Sequence, residues 1–135
     1  MPFVHIRVAG PVSITPAQVR RLQSEATRLM ATIMRKKAEL TSVLVEEAPL
    51  RGWSVGGEPL PMAAHLDVKV TEGTNTVEEK ERFIAAATTL LQEVMGDALP
   101  VVTYVVIDEV PADAWGYGGR SQERRRQALS SAEAA

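Results

Sequence analysis

Pro2 is the residue of this sequence with the most distinctive potential chemistry. Removal of the initiator methionine would leave Pro2 with a free secondary amine, a group that no other residue type supplies. Proline is also ordinary in second position, so a catalytic role for Pro2 depends on the elements that position it. Other nucleophiles and metal ligands are scarce, because the sequence has no cysteine and its only histidines are His5 and His65. We therefore predict no thiolate nucleophile, disulfide, histidine triad or metal site.

Composition predicts a cytoplasmic protein with no membrane segment and no cofactor. The 135 residues are 45% hydrophobic, but the longest apolar run, residues 101–107, is far too short to span a bilayer. The first ten residues lack the pattern of a secretory signal. The net charge is −2, so no global basic field favours nucleic acid. The local cluster Arg124-Arg125-Arg126 lacks the interleaved aromatic residues that would support nucleic-acid binding.

The sequence contains an internal repeat at an offset of 62 residues. Over positions 41–57 this offset gives seven identities in seventeen positions. The identical pairs are Thr41/Thr103, Val43/Val105, Glu47/Glu109, Pro49/Pro111, Trp53/Trp115, Gly56/Gly118 and Gly57/Gly119. Similarity at a fixed offset indicates a copied structural unit, so we predict two units, residues 2–57 and 64–119. The offset aligns Pro2 with Ala64, which means that only the first copy could have a free amine.

Each copy begins with a pattern typical of a strand and then of a helix. Apolar and polar residues alternate over residues 4–8 and 66–70, which is the period of a half-buried strand. Apolar residues then recur at intervals of three and four, as on one face of a helix. These stripes are Val19, Leu22, Ala26, Leu29 and Ile33 in one copy, and Phe83, Ala87, Leu90, Leu91 and Val94 in the other. Thr15 and Thr76 are predicted to begin the helices as capping boxes.

A second strand follows each helix, over residues 41–47 and 101–109, and then a glycine-rich segment typical of a tight turn or hairpin. The order strand, helix, strand implies a parallel pair with a right-handed crossover. The predicted fold is therefore one compact α/β (α+β) domain, a tandem β-α-β repeat with a four-stranded sheet and two helices on one face. Its units are residues 1–60 and 61–119, and residues 120–135 are expected to form a frayed, solvated tail.

The order of these features resembles the tautomerase superfamily, in particular the 4-oxalocrotonate tautomerase group. The shared features are a strand starting at Pro2, a crossover helix, a second strand and an aromatic-x-x-Gly-Gly turn at residues 53–57. The second copy is the closer match, through residues 70–74 and 107–119. The resemblance covers residues 2–119 and suggests a fused member. Single-unit members assemble six copies, so the resemblance implies a homotrimer.

The resemblance implies that Pro2 is the general base of an enol–keto tautomerisation. An apolar pocket and nearby cations would disfavour the charged amine and lower its pKa toward the working range. Neutral Pro2 would then take a proton from a small unsaturated 2-hydroxy or 2-oxo acid and return it to another carbon. Cationic side chains would hold the carboxylate of this substrate.

The sequence departs from the family pattern where the substrate carboxylate should be bound. The positions that match the family's two arginines hold Val12 or Thr74, and Ser42 or Tyr104. We therefore predict that Arg51 and Arg120, which flank the aromatic turns, replace the missing arginines. Other candidates for a replacement cation are Arg7, Arg35, Lys36 and Lys37, and a solvated surface position is the alternative for all of them.

Aromatic residues complete the predicted site. Trp53 and Trp115 match the aromatic of the family's active-site wall, where they would help to desolvate the amine. Tyr104 and Tyr117 could donate a hydrogen bond to a substrate oxygen. Ordinary packing is the alternative for the tryptophans and for Tyr104. The predicted site is thus Pro2 as the catalytic residue, with substrate-binding residues Arg51, Arg120, Trp53, Trp115, Tyr104 and Tyr117.

Two other functions remain open. A hydratase or dehalogenase of an unsaturated acid would need a carboxylate near the aromatic turn to activate water, and Glu47 and Glu109 are strand-end candidates. A catalytically silent trimeric binding module would keep the fold without the chemistry. The missing arginines favour this module, whereas Pro2 argues against it. If Met1 persists, Pro2 has only an amide nitrogen and cannot act as a base.

Overall fold

A computed structural model describes residues 2–134, with side chains up to residue 132. The elements in chain order are β1 (Phe3–Ala9), α1 (Pro16–Thr32), β2 (Ser42–Glu47), β3 (Ser54–Val55), β4 (Glu58–Pro59), β5 (Ala63–Thr71), α2 (Val77–Met95), β6 (Val105–Val110), β7 (Gly116–Tyr117), β8 (Arg120–Ser121) and α3 (Gln122–Ala134). Short 3₁₀ turns at Ala38–Leu40 and Leu50–Gly52 lie before and after β2. None of the helices in the described range is long and apolar enough to cross a membrane.

The central sheet has the strand order β2-β1-β5-β6. Within each copy the two strands are parallel, as predicted, and the copies meet through the antiparallel pair β1–β5. His5 pairs directly with Asp67, which is its equivalent at the 62-residue offset. The copies are therefore related by an approximate two-fold axis at this pair. Because this axis reverses the second copy, the start of β1 lies beside the end of β5.

Helices α1 and α2 cover one face of the sheet and form the core with it. The strand residues in this core include Val4, Ile6, Val8, Leu66, Val68 and Val70, which confirms the predicted alternation. The helices contribute Leu22, Ala26, Leu29 and Met30 from α1, and Phe83, Ala87, Leu90, Leu91 and Val94 from α2. Burying one such large side chain contributes roughly 1.5–3 kcal/mol. Both copies fill one core, so the fold class predicted from the sequence is confirmed.

The predicted capping boxes begin both helices. The Thr15 hydroxyl accepts from the Gln18 amide at 3.1 Å, and Gln18 Oε1 accepts from the Thr15 amide at 2.8 Å. Thr76 and Glu79 repeat these two bonds with the same distances. These bonds satisfy amide groups that have no partner within the helix, so the local sequence determines where each helix starts.

Helix α1 ends through a left-handed residue that is not glycine. Arg35 has a φ of 58°, and the following amide, that of Lys36, donates to the Met30 carbonyl at 3.0 Å. This bond is typical of a helix end that closes through a left-handed residue. A non-glycine residue in this conformation costs roughly 1–2 kcal/mol. The surroundings of Arg35 must therefore stabilise it, and they lie at the Pro2 end of the sheet.

Each copy ends in the predicted hairpin. Strands β3 and β4 flank Gly56-Gly57, and β7 and β8 flank Gly118-Gly119. In both turns the first glycine has a φ of 61° and the second a φ of 79°. Two consecutive positive φ angles are required by the two-residue turn that suits the twist of a hairpin, which explains the glycine pairs.

Strand β6 begins later than predicted. The sequence predicted a strand from residue 101, but β6 starts at Val105. The Thr103 amide donates to the Val101 carbonyl at 2.9 Å, and its hydroxyl donates to the Pro100 carbonyl at 2.6 Å. These bonds form a turn at residues 100–103. Three of these residues are β-branched and favour a strand, so local hydrogen bonding outweighs their strand propensity.

The prediction of a frayed tail after residue 119 was wrong. Residues 120 and 121 pair with β7 as β8, and α3 follows at once. The Ser121 hydroxyl accepts from the Arg124 amide at 3.0 Å, as an N-cap does. The Gln122 amide donates to the Trp115 carbonyl and the Glu123 amide to the Ala112 carbonyl, both at 2.9 Å. The first turn of α3 is therefore attached to the second copy.

Candidate active site

Pro2 lies at the start of β1, between the start of β2 and the end of β5. Its side chain is buried, and its carbonyl accepts a hydrogen bond from the Ser42 amide at 3.2 Å. The antiparallel register pairs Phe3 with Lys69, and its continuation by one residue brings Pro2 beside Val70. The surroundings of Pro2 therefore come from the α1–β2 connection on one side and from the second copy on the other.

A cavity of about 350 Å³ lies at this end of the sheet. It is lined by Arg35, Lys36, Lys37, Leu40, Thr71, Thr74, Ala112, Tyr117, Gln122, Arg125, Arg126 and Leu129. Leu40 lies two residues before Ser42, and Thr71 directly follows Val70. Ser42 and Val70 are the two strand neighbours of Pro2, so the wall contains residues close in the chain to both neighbours, although Pro2 itself does not line the cavity. We refer to it as the Pro2 cavity.

Lys36 is a partly buried cation in the wall of the Pro2 cavity. Its Nζ donates to the Thr74 hydroxyl at 2.7 Å. Burial, followed by the nearby guanidinium of Arg35, lowers the pKa of Lys36 from its ordinary value. Among the side chains of residues 2–132 no carboxylate lies within salt-bridge distance of Lys36. Its charge is therefore available to an anionic ligand.

Arg35, by contrast, is already paired. Its Nε lies 2.5 Å from Glu79 Oε2, and its Nη2 donates to Glu79 Oε1 at 3.2 Å and to the Thr74 carbonyl at 3.0 Å. The hydrogen bond from Arg35, followed by that of the Thr76 backbone, lowers the pKa of Glu79 to about 2. This clamp joins the end of α1 to the start of α2 and explains how Arg35 holds its left-handed conformation. It thereby positions the adjacent Lys36.

The second copy supplies the aromatic wall. Trp115 Nε1 donates to the Thr71 hydroxyl at 3.1 Å, directly beside the neighbour of Pro2. Tyr117 lines the cavity, and the guanidinium carbon of Arg125 lies 3.8 Å from the centre of its ring. Arg125 Nη2 also donates to the Tyr117 carbonyl at 2.9 Å. Trp115 and Tyr117 therefore lie at the Pro2 end of the sheet.

The other predicted substrate-binding residues are not in the wall of this cavity. Arg51 and Trp53 follow the end of β2, and Tyr104 precedes the start of β6, so all three lie at the opposite end of the sheet. Arg120 lies at the Pro2 end on β8, where it is exposed and does not line the cavity. The cavity cations are instead Arg35, Lys36 and Lys37, which the sequence offered only as further candidates, and Arg125 and Arg126, which were predicted to lie in the tail.

The two-fold-related end of the sheet carries a smaller and more apolar cavity, of about 110 Å³. Ala64 occupies the position equivalent to Pro2, and Asp97 and Ala98 occupy those of Arg35 and Lys36. Its wall consists of Val8, Ala9, Gly10, Pro11, Val12, Ser13, Ile14, Gln18, Glu47, Met62 and Met95. The described residues thus give this second cavity no cation. Only the Pro2 end combines a potential amine with positive charge.

The carboxylates that a hydratase would need are engaged or distant. Glu109 Oε1 lies 2.9 Å from Lys80 Nζ, and this hydrogen bond is the main cause that lowers the pKa of Glu109. Glu47 lines the two-fold-related cavity. Neither carboxylate lines the Pro2 cavity, so the geometry gives a water-activating mechanism little support. The described side chains, those of residues 2–132, also contain no group of three or more that could hold a metal ion.

Comparisons with known proteins agree with this architecture. The family model described as "Tautomerase enzyme" matches residues 2–62 and 65–125. "Probable tautomerase K2" of Dickeya dadantii (strain 3937) is 42% identical over 65 residues, which are 48% of this chain and 96% of that protein. The R7 fused 4-OT wild type asymmetric trimer has a TM-score of 0.77 at 22% identity, over 90% of this chain and 98% of that one. FG41 malonate semialdehyde decarboxylase, inhibited by 3-bromopropiolate, has a TM-score of 0.72 at 17% identity, over 95% and 98%.

Proposed function

The chain belongs to the tautomerase family, and we propose that it catalyses enol–keto tautomerisation of a small unsaturated 2-hydroxy or 2-oxo acid with Pro2 as general base. One observation carries this proposal: Pro2 lies at the end of the sheet with a cationic cavity, whereas its equivalent, Ala64, lies at the end with an apolar cavity. A cation beside an amine disfavours protonation of that amine and also binds a carboxylate. This difference in charge between the two ends of the sheet is therefore what we expect if only the Pro2 end is an active site.

The proposed reaction moves one proton and changes no oxidation state. Neutral Pro2 takes the proton from the enol oxygen, and the electron pair of that bond forms the carbonyl group. The protonated amine then returns a proton to the conjugated carbon, which regenerates neutral Pro2. In this scheme Lys36 binds the substrate carboxylate, and Trp115 and Tyr117 keep water from the amine.

The proposal requires that Pro2 carry the free amino group of the mature chain. We expect protein without Met1 to tautomerise phenylenolpyruvate, and protein that retains Met1 to be at least roughly a hundredfold slower, because its Pro2 nitrogen is an amide. Intact-mass spectrometry identifies the two forms, and the decay of enol absorbance measures their rates. Equal rates for both forms would exclude Pro2 as the base.

We further propose that the chain assembles as a homotrimer through the sheet face that α1 and α2 leave uncovered. Leu44, His5, Asp67 and Val106 form one row across this face. Leu44 and Val106 are 43% and 40% exposed in the single chain although both are apolar. His5 is paired with Glu46, so this polar group of the row already has a partner. The edge strands β2 and β6 also leave backbone groups unpaired, which contacts with other subunits would cover. The structurally similar R7 fused 4-OT is itself a trimer.

Light scattering at micromolar concentration tests the assembly. We expect a mass three times the chain mass of 14.7 kDa. Val106→Glu should lower this mass, because it introduces a charge into the proposed interface. Ile84→Glu is the matched control, since Ile84 has the same 40% exposure but lies on α2. A monomeric wild-type mass would rule out the trimer.

A further inference from the structure

The second cavity, at the two-fold-related end of the sheet, has a wall that is mostly apolar. Val8 and Ala9 are buried in this wall. Ile14, Met62 and Met95 are half-buried and pack against the edge of the core. The volume of about 110 Å³ is less than the roughly 150 Å³ of an apolar cavity that takes up benzene. The space therefore suits a short alkyl chain.

Glu47 gives this wall a negative charge that no cation neutralises. It lines the cavity and is exposed, so its carboxylate lies where the cavity meets solvent. Among the side chains of residues 2–132 no cation lies within salt-bridge distance of Glu47. The Gln18 amide in the same wall is already engaged, because its Oε1 accepts from the Thr15 amide and its Nε2 donates to the Val94 carbonyl at 3.2 Å. The described wall thus offers a ligand one unpaired charge, and that charge is negative.

The equivalent carboxylate at the Pro2 end of the sheet is paired. Glu109 is equivalent to Glu47 at the 62-residue offset, and its Oε1 accepts from Lys80 Nζ at 2.9 Å. The position equivalent to Lys80 holds Gln18, which has no charge to neutralise Glu47. The second cavity is therefore not only less cationic than the Pro2 cavity, but has the opposite charge.

Gly10 leaves space in the second cavity beside Met95. A Cβ atom at this position would lie 3.9 Å from Met95 Cε and 3.6 Å from the Val12 carbonyl oxygen, which are ordinary contact distances. Gly10 is also not one of the glycines with a positive φ. Neither a clash nor the backbone conformation requires glycine here, so a larger side chain at this position would fill the cavity without straining the chain.

We propose that the second cavity binds a small primary alkylammonium ion. Its alkyl chain would pack against Ile14, Met62 and Met95, and its ammonium group would pair with Glu47. Methionine side chains are flexible, so Met62 and Met95 can adjust to the shape of the alkyl group. An anion is disfavoured, because the carboxylate of Glu47 would repel it. The two ends of the sheet would then bind ligands of opposite charge.

The methionine methyl groups report on this cavity directly. Met62 and Met95 lie in its wall, whereas Met30 and Met34 are buried in the core. We expect titration with butylammonium at neutral pH to shift the methyl NMR signals of Met62 and Met95, and to leave those of Met30 and Met34 unchanged. Unshifted signals from both cavity methionines would overturn the proposal.

Butanol and pentanoate test the role of charge, because each carries the same butyl chain as butylammonium. We expect butylammonium to bind roughly threefold to fivefold more tightly than butanol, which is the upper range for an ion pair at an exposed site. Pentanoate should bind most weakly. Equal affinities for the three ligands would show that the cavity does not select a cation, and the proposed ligand class would be wrong.

Glu47→Gln should remove the preference for the ammonium group. The variant should bind butylammonium and butanol equally, because the apolar wall is unchanged. Glu58→Gln is the matched control, since it removes a negative charge from the exposed strand β4, outside the cavity wall, and should keep the preference. A full preference in Glu47→Gln would mean that Glu47 does not bind the ammonium group, contrary to the proposal.

Gly10→Leu tests the location of the ligand by filling the cavity. We expect this variant to lose the response of the cavity methionines to both butylammonium and butanol. Gly52→Leu is the control, because nothing lies within 4 Å of a Cβ atom at Gly52 and this residue does not line the cavity. Unchanged signals from Met30 and Met34 show that the core is intact. Wild-type binding by a folded Gly10→Leu protein would place the ligand elsewhere and refute the site.

This inference does not rest on the proposed function, because every measurement is of binding and no variant changes the Pro2 cavity. A protein that binds butylammonium in this way but has no tautomerase activity would refute the activity alone. An active protein whose cavity methionines do not respond would refute the second site alone.

Discussion

Pro2→Ala is expected to lower kcat for phenylenolpyruvate by roughly a hundredfold or more, the usual scale for a positioned base. The variant keeps an amino-terminal amine once Met1 is removed, but this amine is primary and is not held by a ring. Pro2 is buried between β2 and β5, so the ring also sets the direction of its nitrogen. Steady-state kinetics on protein of verified amino-terminal mass give the measurement.

The controls for this experiment follow from the position of each proline. Pro59→Ala makes the same change on the exposed strand β4 and should leave kcat unchanged. Ala64→Pro is a poor control, because Ala64 pairs with Val8 in the central strand β5, where proline disrupts the sheet. Full activity in a correctly folded Pro2→Ala protein would make the silent binding module the better interpretation.

Lys36→Met is expected to raise KM for phenylenolpyruvate roughly tenfold to a hundredfold, because a hydrogen bond to a charged group is lost. A second effect is expected on the pH–rate profile. A cation beside the Pro2 amine disfavours its protonated form, so removal of this cation should raise the pKa of the amine. The rising limb of kcat/KM should therefore move to higher pH in the variant.

Conservative and distant variants make the Lys36 experiment specific. Lys36→Arg keeps the charge and should recover part of the lost affinity. Arg28→Met removes one positive charge from the outer surface of α1, where Arg28 pairs with Glu25 at 2.6 Å, and should change neither KM nor the profile. An unchanged KM in Lys36→Met would mean that Lys37 or Arg125, and not Lys36, binds the substrate carboxylate. An unshifted profile would show that Lys36 does not act on the amine.

Local patterns were sufficient for most of the secondary structure. The capping boxes at Thr15 and Thr76 and the paired glycines of both hairpins act through bonds between near neighbours, so their sequence signals could be interpreted directly. The α3 helix has no comparable apolar stripe. Its first turn depends on the carbonyls of Ala112 and Trp115, which belong to the preceding loop and turn. The sequence pattern therefore gave little indication of this helix.

The site was predicted only in part, because an offset aligns equivalent residues without saying how the two copies meet. Either aromatic turn could have faced Pro2. The antiparallel β1–β5 pair brings Trp115 and Tyr117 to the Pro2 end and carries Trp53 to the opposite end. The same reversal separates Arg51 from Pro2, although the two belong to one copy.

By itself the sequence determined the repeat, the elements within each copy, the family resemblance and the singular position of Pro2. All of these depend on residue types and on short-range spacing. Tertiary structure alone decided which cations line the cavity. Lys36 lies in its wall through the left-handed turn at Arg35 and the Arg35–Glu79 clamp, a contact 44 residues apart in sequence. Arg125 lies there because α3 docks beside Tyr117. Such long-range contacts depend on how the two copies pack against each other, so they cannot be predicted from the spacing of residues along the chain.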